Sequence, residues 1–246
     1  MKALITGASS GIGKEFAKIL SNKGYDLVLV ARDEEKLKQL KNELNTNIKI
    51  MCMDLSNENN CKKLHAENPN IDLLINNAGF GDCGNFTNTS LDKEISMINT
   101  NIVAYHILTK LYLIDMKKLN KGHILNVASI AGFMPGPLMS TYYATKSYIV
   151  RLCEGIREEL KKEKSNVKIS ILCPGPVKTN FTKVANVRFN LREANSYTVA
   201  KYAIDHLNRF YIIPGIDIKL AKLGAKLFPS NLVAKVTYMV QKRKLQ

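Results

Sequence analysis

The sequence has no tryptophan, and phenylalanine and tyrosine bring aromatics to only 7% of 246 residues. Stacking-rich nucleic-acid binders need aromatic platforms, so this scarcity argues against that class. Long hydrophobic runs are absent too: no stretch nears the ~18 apolar residues of a spanning helix. Met1-Lys2 leads into just Ala3, Leu4 and Ile5 before Thr6-Gly7, too short for the apolar region of a secretory signal. The five cysteines (Cys52, Cys61, Cys83, Cys153, Cys173) are an odd set without C-x-x-C spacing. They predict reduced thiols in a cytoplasmic protein, with no metal site.

Acidic side chains are also scarce, 21 against 36 basic, for a net charge of +15. A lysine-rich solvated surface is the simple reading. A basic face for an acidic carrier protein or for membrane headgroups, held peripherally, is the alternative. Only the net charge suggests nucleic acid, which is not expected as a partner. The densest basic run, Gln241-Lys242-Arg243-Lys244, lies at the C-terminus and reads as a frayed tail.

Apolar residues make up 46% of the chain and charged residues 23%, so a full core is available. The length suits one α/β domain. Short apolar runs alternate with amphipathic stretches, the pattern of a parallel sheet with helices on both faces. Strands are predicted at 3–5, 26–30, 48–53, 71–75, 123–127, 167–172 and 211–213. Helices are predicted at 12–20, 34–44, 92–117, 142–162 and 196–208. Two amphipathic helices follow Pro214-Gly215, split by Pro229. The expected fold is a Rossmann-type, doubly wound, mainly parallel seven-stranded sheet. It forms one domain, with a core over about 2–215 and a C-terminal helical extension over about 216–246.

Thr6-Gly7-Ala8-Ser9-Ser10-Gly11-Ile12-Gly13 lies between the first strand and the first helix. A glycine-rich turn there lets backbone N–H groups approach a pyrophosphate, and the helix N-terminus adds partial positive charge. The spacing is G-x-x-x-G-x-G, and such glycines can also be structural. An acid at the end of the second strand would bind the ribose 2′-hydroxyl. Ala31 stands there instead, followed by Arg32, which can pair with a 2′-phosphate. Asp33 competes for the ribose, but its place before Glu34-Glu35-Lys36-Leu37 suits a helix N-cap.

Tyr142-x-x-x-Lys146 puts two side chains on one helix face. A nearby ammonium would lower the tyrosine pKa and fit it for proton transfer with a carbonyl or alcohol. Ser129 follows the fifth strand, at a carboxyl end that can face a ligand crevice. Asn101 sits within a predicted helix, where its propensity is mediocre.

TGASSGIG at 6–13, Asp54-Leu55, NNAG at 76–79, Asn101, Ser129, Tyr142-x-x-x-Lys146 and PGPVKT at 174–179 appear in that order. Together they resemble the short-chain dehydrogenase/reductase family over about residues 2–215. The resemblance implies that Tyr142 is the catalytic acid/base. Lys146 would hold the nicotinamide ribose and depress the tyrosine pKa. Ser129 would position the substrate oxygen, and Asn101 would hold a water of a proton relay. The cofactor would be held by Gly7, Ser9, Ser10, Gly11, Ile12 and Gly13, by Arg32, and by Asp54 and Leu55 beside adenine. Asn77, Ala78 and Gly79 would line the adenosine side, with Asn76 bracing neighbouring strands. Pro174, Gly175, Val177 and Thr179 would line the nicotinamide side. Ala31 followed by Arg32 points to NADP(H) over NAD(H).

The implied activity is an NADP-dependent oxidoreductase that interconverts a ketone or aldehyde and an alcohol. A 3-oxoacyl thioester reductase is the neighbouring alternative, and a catalytically silent nucleotide-binding regulator is the alternative of another class. A homodimer or homotetramer is expected, the dimer preferred, through the helices at 92–117 and 142–162. Residues 180–195 are expected to form a flap over the substrate. The tail after Ile216 is read as a packed terminal helix, a substrate lid, a dimer contact or a membrane-surface helix. It resembles the family branch with broad-specificity, ketoacyl or steroid reductases.

Overall fold

A computed structural model describes residues 1–181, 185 and 193–243. Six strands are β1 (Lys2–Thr6), β2 (Asp26–Ala31), β3 (Ile48–Cys52), β4 (Leu73–Asn76), β5 (His123–Val127) and β6 (Lys168–Leu172). A two-residue ribbon joins β7 (Val177–Lys178) to β8 (Ala194–Asn195), and β9 (Tyr211–Ile212) closes the main sheet. The main sheet has seven strands in the order β3-β2-β1-β4-β5-β6-β9, all parallel.

The helices are α1 (Gly11–Asn22), α2 (Glu34–Asn42), α3 (Glu58–Glu67), α4 (Leu91–Ile98), α5 (Ala104–Lys118) and α6 (Ser140–Lys162). They continue with α7 (Ser196–Asp205), α8 (Ile216–Leu227) and α9 (Ser230–Lys242).

Side chains alternate across the pleat, so each central strand feeds two cores. Leu4, Val28, Val30 and Ile124 pack with α3, α5 and α6 through Leu64, Tyr105, Leu108 and Ile149. Ala3, Ile5, Leu27, Leu29 and Leu125 pack with α1, α2 and α7 through Phe16, Leu20, Leu37, Leu40 and Val199. Burial on both faces explains why these strands read as continuous apolar runs. Strand order reverses between β1 and β4, and the carboxyl ends of the strands open a crevice there.

Several expectations need correction. Helix α3 went unread because only Cys61 and Leu64 are buried on an otherwise polar segment. The helix predicted over 92–117 is broken by a π-helical turn at Asn99–Val103. Strand β4 begins at Leu73, and α7 stops at Asp205. The expected flap over 180–195 lies mostly outside the described residues, and so does Lys244 of the terminal basic run. Its described end, Ala194–Asn195, is a strand.

Candidate active site

The first turn shapes one end of the crevice. Gly11 has φ +55°, and a Cβ there would lie 2.8 Å from the Thr179 Cγ2. The turn and the segment just after β7 therefore close on each other across the crevice. A Cβ on Gly13 would lie 2.2 Å from the Gly7 carbonyl oxygen, so a side chain there would push α1 off the sheet. Helix α1 starts at an extended Ser10 whose side chain caps nothing, and no acid lies in its first turn. Helices α2, α3, α4 and α7 are capped by Asp33, Asn57, Ser90 and Asn195, whereas α6, α8 and α9, like α1, have no side-chain cap; of the four, α1 is the one that opens on the glycine-rich turn. The first-turn amides and the positive dipole end of α1 are thus left for an anion.

Hydrogen bonds tie this turn to β4. The Thr6 hydroxyl accepts from the Asn77 and Ala78 amides at 2.9 and 3.0 Å, and Asn77 Nδ2 donates to the Thr6 carbonyl at 3.0 Å. Asn76 Nδ2 donates to Asn126 Oδ1 at 2.9 Å, which braces β4 against β5. Thr6 was not singled out from sequence; its place as first residue of the TGASSGIG motif was the available signal.

At the end of β2, Ala31 is buried and Arg32 is exposed. Asp33 caps α2: its carboxylate accepts from the Lys36 amide at 3.0 Å and pairs with the Lys36 ammonium. These bonds hold the Asp33 carboxyl below its usual range, Lys36 being the main cause.

The other end of the crevice is built from β5, α6 and the π turn. Ser129 follows β5, and its hydroxyl accepts from the Ala131 amide at 3.2 Å and donates to the Pro174 carbonyl at 3.4 Å. Tyr142 lines the same part of the crevice as Ser129. Helix α6 presents Tyr142 and Lys146 on one face, with Lys146 Nζ 5.8 Å from the tyrosine ring centre. Lys146 is 4% exposed, and its ammonium donates to the Val127 carbonyl at 3.0 Å. Burial pulls the Lys146 pKa down to about 8.

Burial likewise pushes the Tyr142 phenol up, and the Ser129 hydroxyl offsets this only in part. Lys146 is not among the groups that move the Tyr142 phenol here, and burial outweighs the rest. The ammonium is turned to Val127, and both groups lose hydration.

Asn101, fully buried in the π turn, clamps one loop. Its Nδ2 donates to the Phe80 carbonyl at 2.8 Å and to Thr145 Oγ1 at 3.1 Å. Its Oδ1 accepts from the Phe80 amide at 3.1 Å. A π turn inserted in an α-helix recurs at functional sites because it shifts the hydrogen-bond register.

All these groups meet in one crevice of about 670 Å³. Its lining includes Gly7, Ser9, Ser10, Gly11, Ile12, Arg32, Asp54, Leu55, Asn77, Ala78 and Gly79. It continues through Ser129, Tyr142, Lys146, Pro174, Gly175, Val177 and Thr179. Gly13 and Asn101 support the wall from behind. Met53, Phe80, Thr100, Met139 and Tyr143 also line it and were not expected, and Phe181, from the start of the expected flap, lines it too. They are ordinary apolar or helical positions in the sequence, and only folding brings them to the crevice. Among the described residues no group of three or more His, Cys, Asp or Glu side chains is placed to hold a metal ion. No described helix is long and apolar enough to cross a membrane.

Comparison with known proteins agrees with this architecture. Residues 1–188 match the family model described as short chain dehydrogenase. An uncharacterized oxidoreductase of Staphylococcus epidermidis is 34% identical over 215 residues, covering 84% of this chain and 93% of that protein. A short-chain dehydrogenase from Sphingobium yanoikuyae, solved in complex with NADPH, is 27% identical with a TM-score of 0.82 over 92% of both chains. One from Burkholderia phymatum, solved with NAD, is 26% identical with a TM-score of 0.83, covering 90% of this chain and 91% of that one. The chain belongs to the short-chain dehydrogenase family and is an oxidoreductase with a Rossmann-like fold.

Proposed function

We propose that the protein interconverts a ketone or aldehyde and the corresponding alcohol, with NADP(H) preferred over NAD(H). The observation that carries this reading is the convergence of Ser129, Tyr142 and Lys146 on the same crevice as the uncapped N-terminus of α1. The glycine cradle and the open first-turn amides fit a dinucleotide pyrophosphate. A bound nicotinamide dinucleotide supplies the hydride.

The chain's own groups handle the proton and the oxygen. Ser129 and Tyr142 line the same end of the crevice, so both hydroxyls can reach one substrate oxygen. Tyr142 stays protonated at neutral pH, which suits it to donate a proton to an oxygen that gains negative charge. The Ser129 hydroxyl stabilises that charge. Lys146 keeps a cation beneath the tyrosine and can bind a ribose hydroxyl. The Asn101 amide is spent on Phe80 and Thr145, so any relay contact there falls to its backbone. Turnover of NADPH against a panel of ketones, aldehydes and 3-oxoacyl thioesters tests the reading. No oxidation with any of them would leave the silent nucleotide binder.

The cofactor preference rests on the end of β2. Relatives of known structure hold NADPH in one case and NAD in another, so the fold does not choose. Ala31 has no carboxylate, Asp33 is engaged with Lys36, and Arg32 offers its guanidinium to the crevice. Arg32→Ala should cut kcat/KM for NADPH about ten- to hundredfold and leave NADH use nearly unchanged. Ala31→Asp should penalise NADPH further. A wild type that favours NADH would move the assignment to Asp33.

A further inference from the structure

Helix α8 has no buried residue at all. Its outward stripe is Ile216, Leu220, Leu223 and Leu227, spaced i, i+4, i+7, i+11 on one face. Ile216, Leu220 and Leu227 are 75%, 62% and 68% exposed. Helix α9 repeats the arrangement: Thr237 and Gln241 face inward, while Leu232, Val236 and Met239 lie exposed on the opposite side. Phe228, at the corner between the helices, is also exposed.

The same pair is strongly basic. Between 216 and 242 stand Lys219, Lys222, Lys226, Lys235 and Lys242, against Asp217 as the sole acid. Lys222 lies over the rings of Tyr211 and Phe133. For the other four lysines, no carboxylate among the described residues lies within ion-pairing distance, whereas many lysines elsewhere are paired.

We propose that α8 and α9 dock the protein on an anionic membrane surface. The proposal goes beyond the reductase reading and does not depend on it. Large apolar side chains flanked by unpaired lysines match the boundary between acyl chains and acidic headgroups. A second copy is the poorer occupant. A two-fold contact through this face would set lysines against lysines with a single acid per chain to offset them.

The pair is also anchored firmly enough to carry the protein. Thr237 donates to the Pro135 carbonyl at 2.9 Å, and Gln241 Nε2 hydrogen-bonds the Tyr143 hydroxyl. Ile218 packs against Gly175, where a Cβ would lie 2.3 Å from it. Tyr143 and Gly175 both line the catalytic crevice, so docking would hold that crevice beside the bilayer.

Co-sedimentation of the full-length protein with vesicles tests this. Vesicles of equal parts phosphatidylglycerol and phosphatidylcholine should bind it, with affinity falling as salt rises, and phosphatidylcholine alone should bind far less. Lys219→Glu with Lys226→Glu should weaken binding at least about tenfold. Leu220→Ser with Leu223→Ser should weaken it similarly while NADPH binding and thermal stability persist, since neither side chain is buried. No binding to the anionic vesicles, or equal binding by the variants, would overturn the proposal. A dimer that both double variants dissociate would assign the face to a second copy and overturn it as well.

Discussion

Lys146 shows how far a residue's role can be read before its surroundings are known. Its spacing from Tyr142 is visible in the sequence, and the fold puts both on the crevice. The electrostatic direction was not visible, because burial depends on Val127, Tyr105 and Cys173, which are distant in the chain. An ammonium buried without a carboxylate destabilises the folded state while it keeps its proton. The lysine loses that proton near pH 8 when folded and near its ordinary 10.5 when unfolded. Between those values the unfolded chain holds the extra proton, so raising the pH favours the folded form. Urea denaturation without nucleotide should therefore show Lys146→Met more stable than wild type at neutral pH, with the gap closing towards pH 10. Turnover should be lost throughout. A destabilised Lys146→Met at neutral pH would mean that the ammonium contributes to folding.

At the scale of elements, legibility followed burial pattern. Strand β5 was read with its observed bounds, since both of its faces are covered. Helix α3 was missed because two buried residues make too thin a stripe. The π turn was invisible because Asn99-Thr100-Asn101-Ile102-Val103 carries no periodicity of its own. What fixes it is the tertiary clamp between Asn101 and the Phe80 backbone. Asn101→Ala would leave the part-buried Phe80 amide and carbonyl without their partners, at a cost of about 1–3 kcal/mol. Denaturation should show that loss, together with reduced turnover, because the Phe80 loop lines the crevice. A change below about 0.5 kcal/mol would show that the π turn does not need the clamp.

For the whole molecule, the parallel sheet and its crevice were legible because motif order follows strand order. The surface was partly so: the two amphipathic tail helices and their lysines were readable, but only the fold shows that α8 buries no residue and leaves its apolar stripe exposed. We propose that copies associate through α5 and α6, which leaves those two helices uncovered. Light scattering should give twice the chain mass at working concentration, and a monomer would contradict this. The central claim is that Tyr142 carries the proton in carbonyl reduction. The direct measurement is Tyr142→Phe, with NADPH affinity and turnover determined on the best substrate of the panel. The account predicts unchanged NADPH binding and a turnover lower by about 10²–10⁴-fold. Turnover equal to wild type would remove Tyr142 from the chemistry and contradict the account.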